Sequence, residues 1–461
     1  MEASSVNITK YSCLITIKGQ NYLFNTFNSS LIEIDHDSIK KINNNEHQDI
    51  LPLLSSDEQT LLMSEGFLTG PDDDICKERS LRMGYHQSKY SPASKIKLDI
   101  GVTDKCNFAC PYCFEKGNKS ATLPKDNHFT HAELLYEIGK YIAEHAQKGT
   151  TDIEIVWYGG EPTLELDFIC FANDKLSQDA IRCGLKYSNI LVTNGYKLDI
   201  NHIQKLQKQN VKYIQVTIDG LKETHNKRRS PSPDVDSFEI ILSNIDNLLS
   251  HSIETVIRIN IDSTNYSEAH ELLDYLSRRY PKNVIGRLLF VNFGRVFGSN
   301  TSFSHLEYEE IYHDLFLHAV ELGFIEPEFE AHDVGAFCNA ETESNSIVID
   351  FMGYQYKCWN NIFDRPMAIG NIFSNKSPIS DNSQSTRLLY MEGLSLDTIN
   401  DGQCLSCELL KYCGGLCPYN RKLILERKEE NIYGNKLCKQ IVKQRIATYI
   451  EAYLDKLAKN D

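Results

Sequence analysis

The sequence has no long apolar run and no excess of basic residues. No stretch approaches the roughly 18 consecutive apolar residues that identify a membrane-spanning helix, so we expect no membrane partner. Its 48 Lys and Arg are outnumbered by 63 Asp and Glu, which gives a formal net charge of −15. A general nucleic-acid-binding protein normally presents a basic face, so we expect no nucleic-acid partner. Residues 1–7 contain no positively charged leader ahead of an apolar segment, and we therefore expect no signal peptide and a cytoplasmic location.

Thiols are absent between Cys183 and Cys338, although the whole chain contains 14 Cys. In a chain without an export signal, so many Cys point to metal or redox chemistry in a reducing compartment and argue against a disulfide scaffold. The 461 residues are enough for two or three domains, each with a sizeable core.

Three of these thiols form a compact group. Cys106, Cys110 and Cys113 lie in a C-x3-C-x2-C spacing, interrupted by Pro111, directly after an alternating apolar segment at 96–102. Thiolates are the usual protein ligands of iron–sulfur clusters, so this spacing suits a loop wrapped around such a cluster. A zinc site and a chance clustering of thiols are the alternatives, but a closed zinc site needs a fourth ligand and no His follows nearby.

Strand and helix patterns alternate from about residue 96 to residue 293. The six predicted strands are Ile96 to Val102, Ile153 to Tyr158, Ile190 to Thr193, Tyr213 to Ile218, Val256 to Ile261 and Leu288 to Phe293. Such alternation implies parallel strands with right-handed crossovers. Six units are too few for a closed eight-stranded barrel, so the pattern predicts an α/β fold built on a partial (β/α)6 barrel. In such barrels the chemistry gathers at the C-terminal ends of the strands.

Unusual residues follow four successive predicted strands. The Cys106 loop follows the first strand, and Gly159-Gly160-Glu161-Pro162 follows the second. After the third and fourth come Thr193 and Asn194, then Thr217 and Asp219 with His225 and Arg229. Each segment alone is also typical of a turn or a surface charge. Four of them at successive strand ends indicate one ligand site.

Cysteine returns densely near the C-terminus. Cys338 and Cys358 flank Gly353 in a C-x14-G-x4-C arrangement. The later thiols are Cys404, Cys407, Cys413 and Cys417, spaced C-x2-C-x5-C-x3-C, and Cys438. The group from 404 to 417 could by itself be a four-thiolate zinc site. The remote thiols and the upstream loop argue for iron–sulfur clusters instead.

Together these motifs resemble the radical S-adenosylmethionine (SAM) enzymes, and the last seven Cys resemble their SPASM domain, an extension found on members that modify peptides and proteins. The resemblance implies that Cys106, Cys110 and Cys113 hold a [4Fe–4S] cluster whose fourth iron binds SAM. It implies further SAM contacts at Gly159, Gly160, Glu161, Pro162, Thr193, Asn194, Thr217, Asp219 and Arg229. It also implies two auxiliary [4Fe–4S] clusters, one on Cys338, Cys358 and Cys417 and one on Cys404, Cys407, Cys413 and Cys438.

Three cubanes have twelve iron vertices and the resemblance assigns ten Cys, so two vertices would stay open, one for SAM and one on the first auxiliary cluster. An open vertex could bind a substrate thiolate directly. Alternatively, His332 or Asp333 closes it. The remaining thiols, Cys13, Cys76, Cys170 and Cys183, are expected to be structural or incidental.

We expect three domains, at 1–92, 93–325 and 326–461. The first pairs a predicted hairpin at 11–34 with short helices and resembles the winged-helix-like modules that bind leader peptides. A plain capping domain is the alternative. A polar linker is expected at 87–94, and a C-terminal helix from about 435 to 459 is expected to pack on the barrel.

The resemblance implies a peptide-modifying enzyme, and specifically a maturase of ribosomally made peptides. Its partners would be a precursor peptide with a leader and a flavodoxin or ferredoxin as reductant. A radical derived from SAM would abstract hydrogen from the peptide, which would then form a thioether or carbon-linked crosslink. No side chain stands out as catalytic. The alternatives are a sulfatase-type maturase that forms formylglycine, and a non-catalytic iron–sulfur protein that binds peptides or carries electrons.

Overall fold

The structure is a computed structural model. It describes residues 6–43, 51–70, 72–90, 93–118, 130–327, 338, 346–373, 404, 406–415, 417, 419 and 436–460. The chain divides into two compact units by its internal contacts. We call them the barrel unit, which comprises the described residues of 92–326 and 342–392, and the terminal unit, which comprises those of 1–91, 327–341 and 393–461. The predicted division into three domains stays a prediction.

The elements are numbered along the chain. The strands are β1 (Asn7–Ile8), β2 (Ser12–Ile17), β3 (Gln20–Asn25), β4 (Leu31–Glu33), β5 (Leu68–Thr69), β6 (Lys95–Gly101), β7 (Asp152–Tyr158), β8 (Lys186–Thr193), β9 (Tyr213–Thr217), β10 (Thr255–Ile261), β11 (Leu289–Arg295), β12 (Ser346–Asp350), β13 (Tyr354–Tyr356) and β14 (Gly370–Asn371). The helices are α1 (His36–Asn43), α2 (Ser56–Ser64), α3 (Asp73–Tyr90), α4 (Glu115–Asn118), α5 (His131–Gln147), α6 (Leu166–Arg182), α7 (Ile200–Lys208), α8 (Lys222–Arg228), α9 (Ser237–Ser250), α10 (Ala269–Arg279), α11 (His305–Glu321), α12 (Leu410–Cys413) and α13 (Lys436–Asn460). No helix in these described ranges is both long enough and apolar enough to cross a membrane.

The barrel unit is built on a sheet in the order β11-β10-β9-β8-β7-β6-β12-β13-β14. All neighbours from β11 to β12 are parallel, and β13 and β14 are antiparallel additions at the edge. The α/β fold and its six successive parallel strands are therefore confirmed. Strand β12, which pairs with β6 through residues 346–350, is a seventh parallel strand that the sequence pattern did not predict.

One face of this sheet is covered by helices. Along β10, Ile257, Ile259 and Ile261 are fully buried in the main apolar core. Side chains alternate between the faces of a strand, so Arg258 and Asn260 point to the opposite face. The sheet is thus apolar toward the helices and carries polar groups on the face where the site lies.

The terminal unit contains the predicted hairpin. Strands β2 and β3 pair in register from Ser12 opposite Asn25 to Ile17 opposite Gln20. The turn residues Lys18 and Gly19 have φ values of 49° and 83°. A two-residue hairpin turn of type I′ requires positive φ at both of these positions. The hairpin prediction is confirmed.

Helix α13 packs on this hairpin. Its Val442, Ile446 and Ile450 share one apolar cluster with Cys13 and Ile15 of β2. The barrel was the expected partner, whereas the partner found for these three side chains is the hairpin. The linker prediction also needs correction, because residues 87–90 form the last turn of α3.

Candidate active site

The loop after β6 holds three predicted cluster ligands close together. The backbone N–H of Phe108 donates to Cys106 Sγ at 3.4 Å, and that of Cys113 donates to the Cys110 carbonyl at 3.3 Å. Burial, together with the nearby Glu161, Cys110 and Cys113, raises the pKa of Cys106 to about 11, although the hydrogen bond from Phe108 N–H opposes the rise. None of these three thiols forms a disulfide.

This donor set suits a cubane more than a single ion. In the part of the chain that the structure describes, no group of three or more His, Cys, Asp or Glu is placed to hold one metal ion. Thiolates of a [4Fe–4S] cluster each bind a different iron, so they need not converge on one point. The iron would replace the proton on each thiol, which offsets the cost of burying a thiolate.

The turn after β7 lies directly on this loop. Gly159 and Gly160 have φ values of 89° and 48°, and a Cβ on Gly160 would overlap the carbonyl of Lys105. The backbone N–H of Glu161 donates to that carbonyl at 2.8 Å, while the N–H of Gly160 donates to Glu115 Oε2 at 2.9 Å. Only glycine permits this approach at Gly160. Pro162 follows, buried, as the first residue of a short 3-10 helix.

The Glu161 carboxylate is used by the protein itself. Its Oε1 accepts hydrogen bonds from Thr163 N at 3.0 Å, from Thr163 Oγ1 at 2.6 Å and from Thr193 Oγ1 at 2.6 Å. Its Oε2 accepts from Asn194 N at 2.7 Å. These bonds join the ends of β7 and β8. What this segment offers to a ligand is therefore its backbone.

Asn194 continues the connection back to the cysteine loop. Its Nδ2 donates to Asn107 Oδ1 at 2.8 Å, and its own Oδ1 accepts from Tyr196 N at 3.0 Å. Asn107 lies between Cys106 and Cys110, so the end of β8 directly fixes the loop. No sequence signal singled out Asn107.

Tyr112 is the centre of the network at the end of β9. Its hydroxyl donates to Asp219 Oδ2 and accepts from Arg229 Nη1 at 2.6 Å. Burial raises the pKa of Tyr112 well above its usual value; the Arg229 charge opposes this rise, and the Asp219 charge adds to it. The structure thus brings together Asp219 and Arg229, and Tyr112 anchors both to the cysteine loop.

Residues on β10 and in the segment that follows it make further hydrogen bonds around Asp219. The backbone N–H of Asn260 donates to Asp219 Oδ1 at 3.0 Å, and Asn265 Nδ2 donates to the Asp219 carbonyl at 2.5 Å. Arg228 Nη1 donates to Asp262 Oδ1 at 2.8 Å. These polar residues were visible in the sequence, but spacing alone assigned them no role. Thr217, buried at the end of β9, lies in register with Arg258 on β10.

His225 accepts a hydrogen bond from the Asp219 backbone and makes the stability of the protein depend on pH. Its Nδ1 accepts the backbone N–H of Asp219 at 3.3 Å, so the ring proton of the neutral form is on Nε2. Burial, together with the charges of Arg229 and Arg228, lowers the pKa of His225 from 6.5 to about 3. The unfolded chain therefore takes up the proton first. The contribution of the neutral His225 to the free energy of unfolding is fully present above pH 6.5 and is lost as the pH drops toward 3. The loss is about 2 kcal/mol at pH 5.

We expect His225→Gln to remove this pH dependence, since the glutamine oxygen can accept the same N–H and does not titrate. Urea denaturation of both proteins at pH 7 and at pH 5 measures it. The loss of unfolding free energy between the two pH values should be about 2 kcal/mol smaller in the variant. An equal loss in both proteins would contradict the assignment.

The terminal unit brings together a second set of thiols. Burial, together with the nearby Cys438, Cys407 and Cys404, raises the pKa of Cys413 to about 12. Burial also raises the pKa of Cys407, and Cys438 is among the neighbours that add to this rise. These are the four thiols assigned by resemblance to one auxiliary cluster, although Cys438 lies on α13, 25 residues beyond Cys413.

The other predicted cluster ligands belong to both units. Cys338 and Cys417 belong to the terminal unit, whereas Cys358 of the barrel unit precedes a short 3-10 helix at Trp359–Asn361. Their assignment to one auxiliary cluster stays a prediction. His332 and Asp333, the alternative ligands, lie outside the described residues.

The fold and the site together define a class of protein. Residues 100–276 match the family model of the Radical SAM superfamily, a span that includes the cysteine loop, the Gly159–Gly160 turn and the Asp219–Arg229 network. Over these residues, which make up less than half of its length, the chain is therefore similar to the domains of radical SAM enzymes. The superfamily implies SAM and a [4Fe–4S] cluster as cofactors.

Curated relatives match part of the chain. The Fe-coproporphyrin III synthase of Methanosarcina barkeri is 24% identical over 216 residues, which cover 47% of this chain and 49% of that protein. The GTP 3′,8-cyclase of Haemophilus influenzae is 33% identical over 129 residues, which cover 27% of this chain and 33% of that one. The chain spans about half or less of the length of the curated relatives that it matches.

Solved structures share the fold over more of the chain. The structure of anSMEcpe with bound AdoMet and Cp18Cys peptide has a TM-score of 0.54 and 17% identity, and the match covers 79% of this chain and 99% of that one. Streptococcus suis SuiB bound to precursor peptide SuiA has a TM-score of 0.45 and 16% identity, with 94% and 99% covered. At 17% identity the likeness to anSMEcpe concerns the fold alone.

Proposed function

We propose that this chain is a radical SAM maturase that forms a crosslink, a thioether or a carbon-linked bond, in a ribosomally made peptide. The observation that carries the proposal is the joining of the Cys106–Cys113 loop to three further strand ends. Glu161, Asn194 and the Asp219–Arg229 pair each hold that loop by named hydrogen bonds. This arrangement builds a single cofactor site from residues more than 100 positions apart.

SAM bound on the reduced cluster would supply a 5′-deoxyadenosyl radical able to take hydrogen from an unactivated carbon. The chain's own residues would hold the cluster and SAM in place and keep water away from them. Cys106, Cys110 and Cys113 would hold the cluster, and the Gly159–Gly160 backbone would face the amino group of SAM. Asp219 and Arg229 are buried, so water is excluded from the polar groups that support the site.

The second group of thiols supports the SPASM part of the proposal. Cys404, Cys407, Cys413 and Cys438 act on one another electrostatically, as expected of ligands to one closed cluster. A crosslink removes two hydrogens from the peptide. One leaves with the radical, and the other leaves as a proton together with one electron. An auxiliary cluster is a suitable acceptor for that electron.

A peptide substrate is supported by the shared fold of anSMEcpe, which was solved with AdoMet and a peptide bound. The hairpin of the terminal unit would contribute to binding a leader, as the sequence resemblance implies. A flavodoxin or ferredoxin would deliver electrons to the clusters. The proposal includes a cytoplasmic location, where thiols remain reduced.

Mass spectrometry of a candidate precursor peptide, encoded beside this chain's gene and co-expressed with it, tests the function. We expect a loss of two hydrogens for each crosslink, and a thioether would also remove one Cys thiol from reaction with iodoacetamide. A serine oxidised to formylglycine also loses two hydrogens, but it then reacts with a hydrazide probe. With SAM and dithionite, the purified protein should form 5′-deoxyadenosine. The proposal is wrong if neither 5′-deoxyadenosine nor a mass change appears.

A further inference from the structure

One arginine on the polar face of the barrel sheet has no acidic partner among the described residues. Arg258 on β10 lies in register with Thr217 on one neighbouring strand and with Asn292 on the other. Its Nε donates to Asn260 Oδ1 at 3.2 Å and its Nη1 to Asn292 Oδ1 at 3.3 Å. Within the described residues, neither a hydrogen bond nor an ion pair joins Arg258 to a carboxylate.

The two neighbouring arginines, unlike Arg258, each have a carboxylate close by. Arg228 is paired with Asp262 at 2.8 Å, and Arg229 lies 3.9 Å from Asp219. Burial lowers the pKa of Arg258 from its usual value, and the surrounding Tyr308 and Asp219 offset this only in part. A guanidinium that is largely withdrawn from water and has no counter-ion destabilises the protein, so an anion from outside would be bound favourably.

The structure also makes room for this side chain. Nη2 of Arg258 lies over Gly294 of β11, where a Cβ would overlap it. Neither of the two hydrogen bonds of Arg258 uses Nη2, and the side chain keeps part of its surface accessible. Asn260, its neighbour on the same face, is 3.4 Å from the Tyr112 hydroxyl. An anion on Arg258 would therefore lie close to the cofactor site.

We propose that Arg258 binds a carboxylate of the peptide substrate, the side chain of an Asp or a Glu, inside the barrel beside SAM. The inference rests on the proposed function. A guanidinium recognises a carboxylate by charge and by directed N–H groups together. SAM also has a carboxylate, but Arg229 already lies at the site to which the sequence resemblance assigns SAM contacts.

The test uses ¹³C-labelled acetate as the probe and acetamide as its neutral counterpart. The holoenzyme is reduced anaerobically and saturated with S-adenosylhomocysteine, which carries the carboxylate of SAM but is not cleaved. The reduced cluster is paramagnetic, so acetate bound near it relaxes faster. We expect saturable relaxation with acetate and none with acetamide. Arg258→Gln should weaken acetate binding about tenfold or more, whereas Arg258→Lys should weaken it less, because it keeps the charge.

Arg279→Gln is the matched control, because Arg279 pairs with Asp246 at the surface and its loss should leave acetate binding unchanged. The inference is overturned if acetate binds equally to wild type and Arg258→Gln. It is also overturned if S-adenosylhomocysteine abolishes acetate binding in the wild type, because the carboxylate would then belong to SAM. If acetate binds at Arg258 while no precursor is modified, the peptide function fails and the carboxylate site stands.

Discussion

Cys110→Ala should lose about a third of the iron of the holoenzyme, since one of the three proposed cubanes would lose a ligand. Formation of 5′-deoxyadenosine from SAM should fall at least about a hundredfold. Removing an outer partner of a metal ligand already costs about 10- to 100-fold, and Cys110 would be a ligand itself. Cys110 is buried, and its carbonyl accepts from Cys113 N. The loop backbone should therefore survive the substitution while the site loses its function.

Cys183→Ala is the matched control for this experiment. Cys183 is exposed at the end of α6 in the same unit, and no cluster role is expected for it. Iron analysis and 5′-deoxyadenosine formation, both measured on anaerobically purified protein, compare the two variants. Full activity in Cys110→Ala, or zinc in place of iron in the wild type, would contradict the cluster assignment.

The position of the site could be predicted from the sequence for a simple geometric reason. Parallel strands joined by crossovers all end at one edge of the sheet. Once β6 to β9 were located, the cysteine loop, the Gly159 turn, Asn194 and Asp219 had to lie near one another. Strand ends differed from the predictions by only a few residues. For example, the strand predicted at Ile96 to Val102 is found at Lys95–Gly101.

The side-chain connections within the site could not be predicted. The contact of Tyr112 with Asp219 joins residues 107 positions apart, and that with Arg229 joins residues 117 positions apart. Spacing gives no information on such pairs. It also did not show that the Glu161 carboxylate would be saturated by Thr163, Thr193 and Asn194. The sequence indicated which residues are unusual, and the fold decides which of them face each other.

The pairing of α13 with the β2–β3 hairpin was missed for a related reason. The apolar side chains of α13 predict only that one face of the helix is covered, and any apolar surface could cover it. Cys13, Ile15 and Ile17 supply that surface from the other end of the chain. This contact places the N-terminal hairpin and Cys438 in one compact unit.

The two groups of predicted cluster ligands lie in different units of the chain. The hydrogen bonds that hold the Cys106–Cys113 loop come from residues of the barrel unit, whereas Cys413 and its neighbouring thiols lie in the terminal unit. Cys413→Ser should therefore lose about a third of the iron but keep 5′-deoxyadenosine formation within about threefold of the wild type. Formation of the modified peptide should fall at least about tenfold, because the auxiliary cluster would no longer accept the electron that crosslinking releases.

Cys76→Ala is the matched control, since Cys76 is an exposed residue of α3 in the same unit. The ratio of modified peptide to 5′-deoxyadenosine is the decisive quantity. A general loss of folding would lower both products together, whereas a loss of electron transfer lowers only the peptide product. If Cys413→Ser instead keeps the wild-type ratio, the electron leaves the substrate by a route that does not include this cluster. The four thiols would then serve the stability of the terminal unit alone.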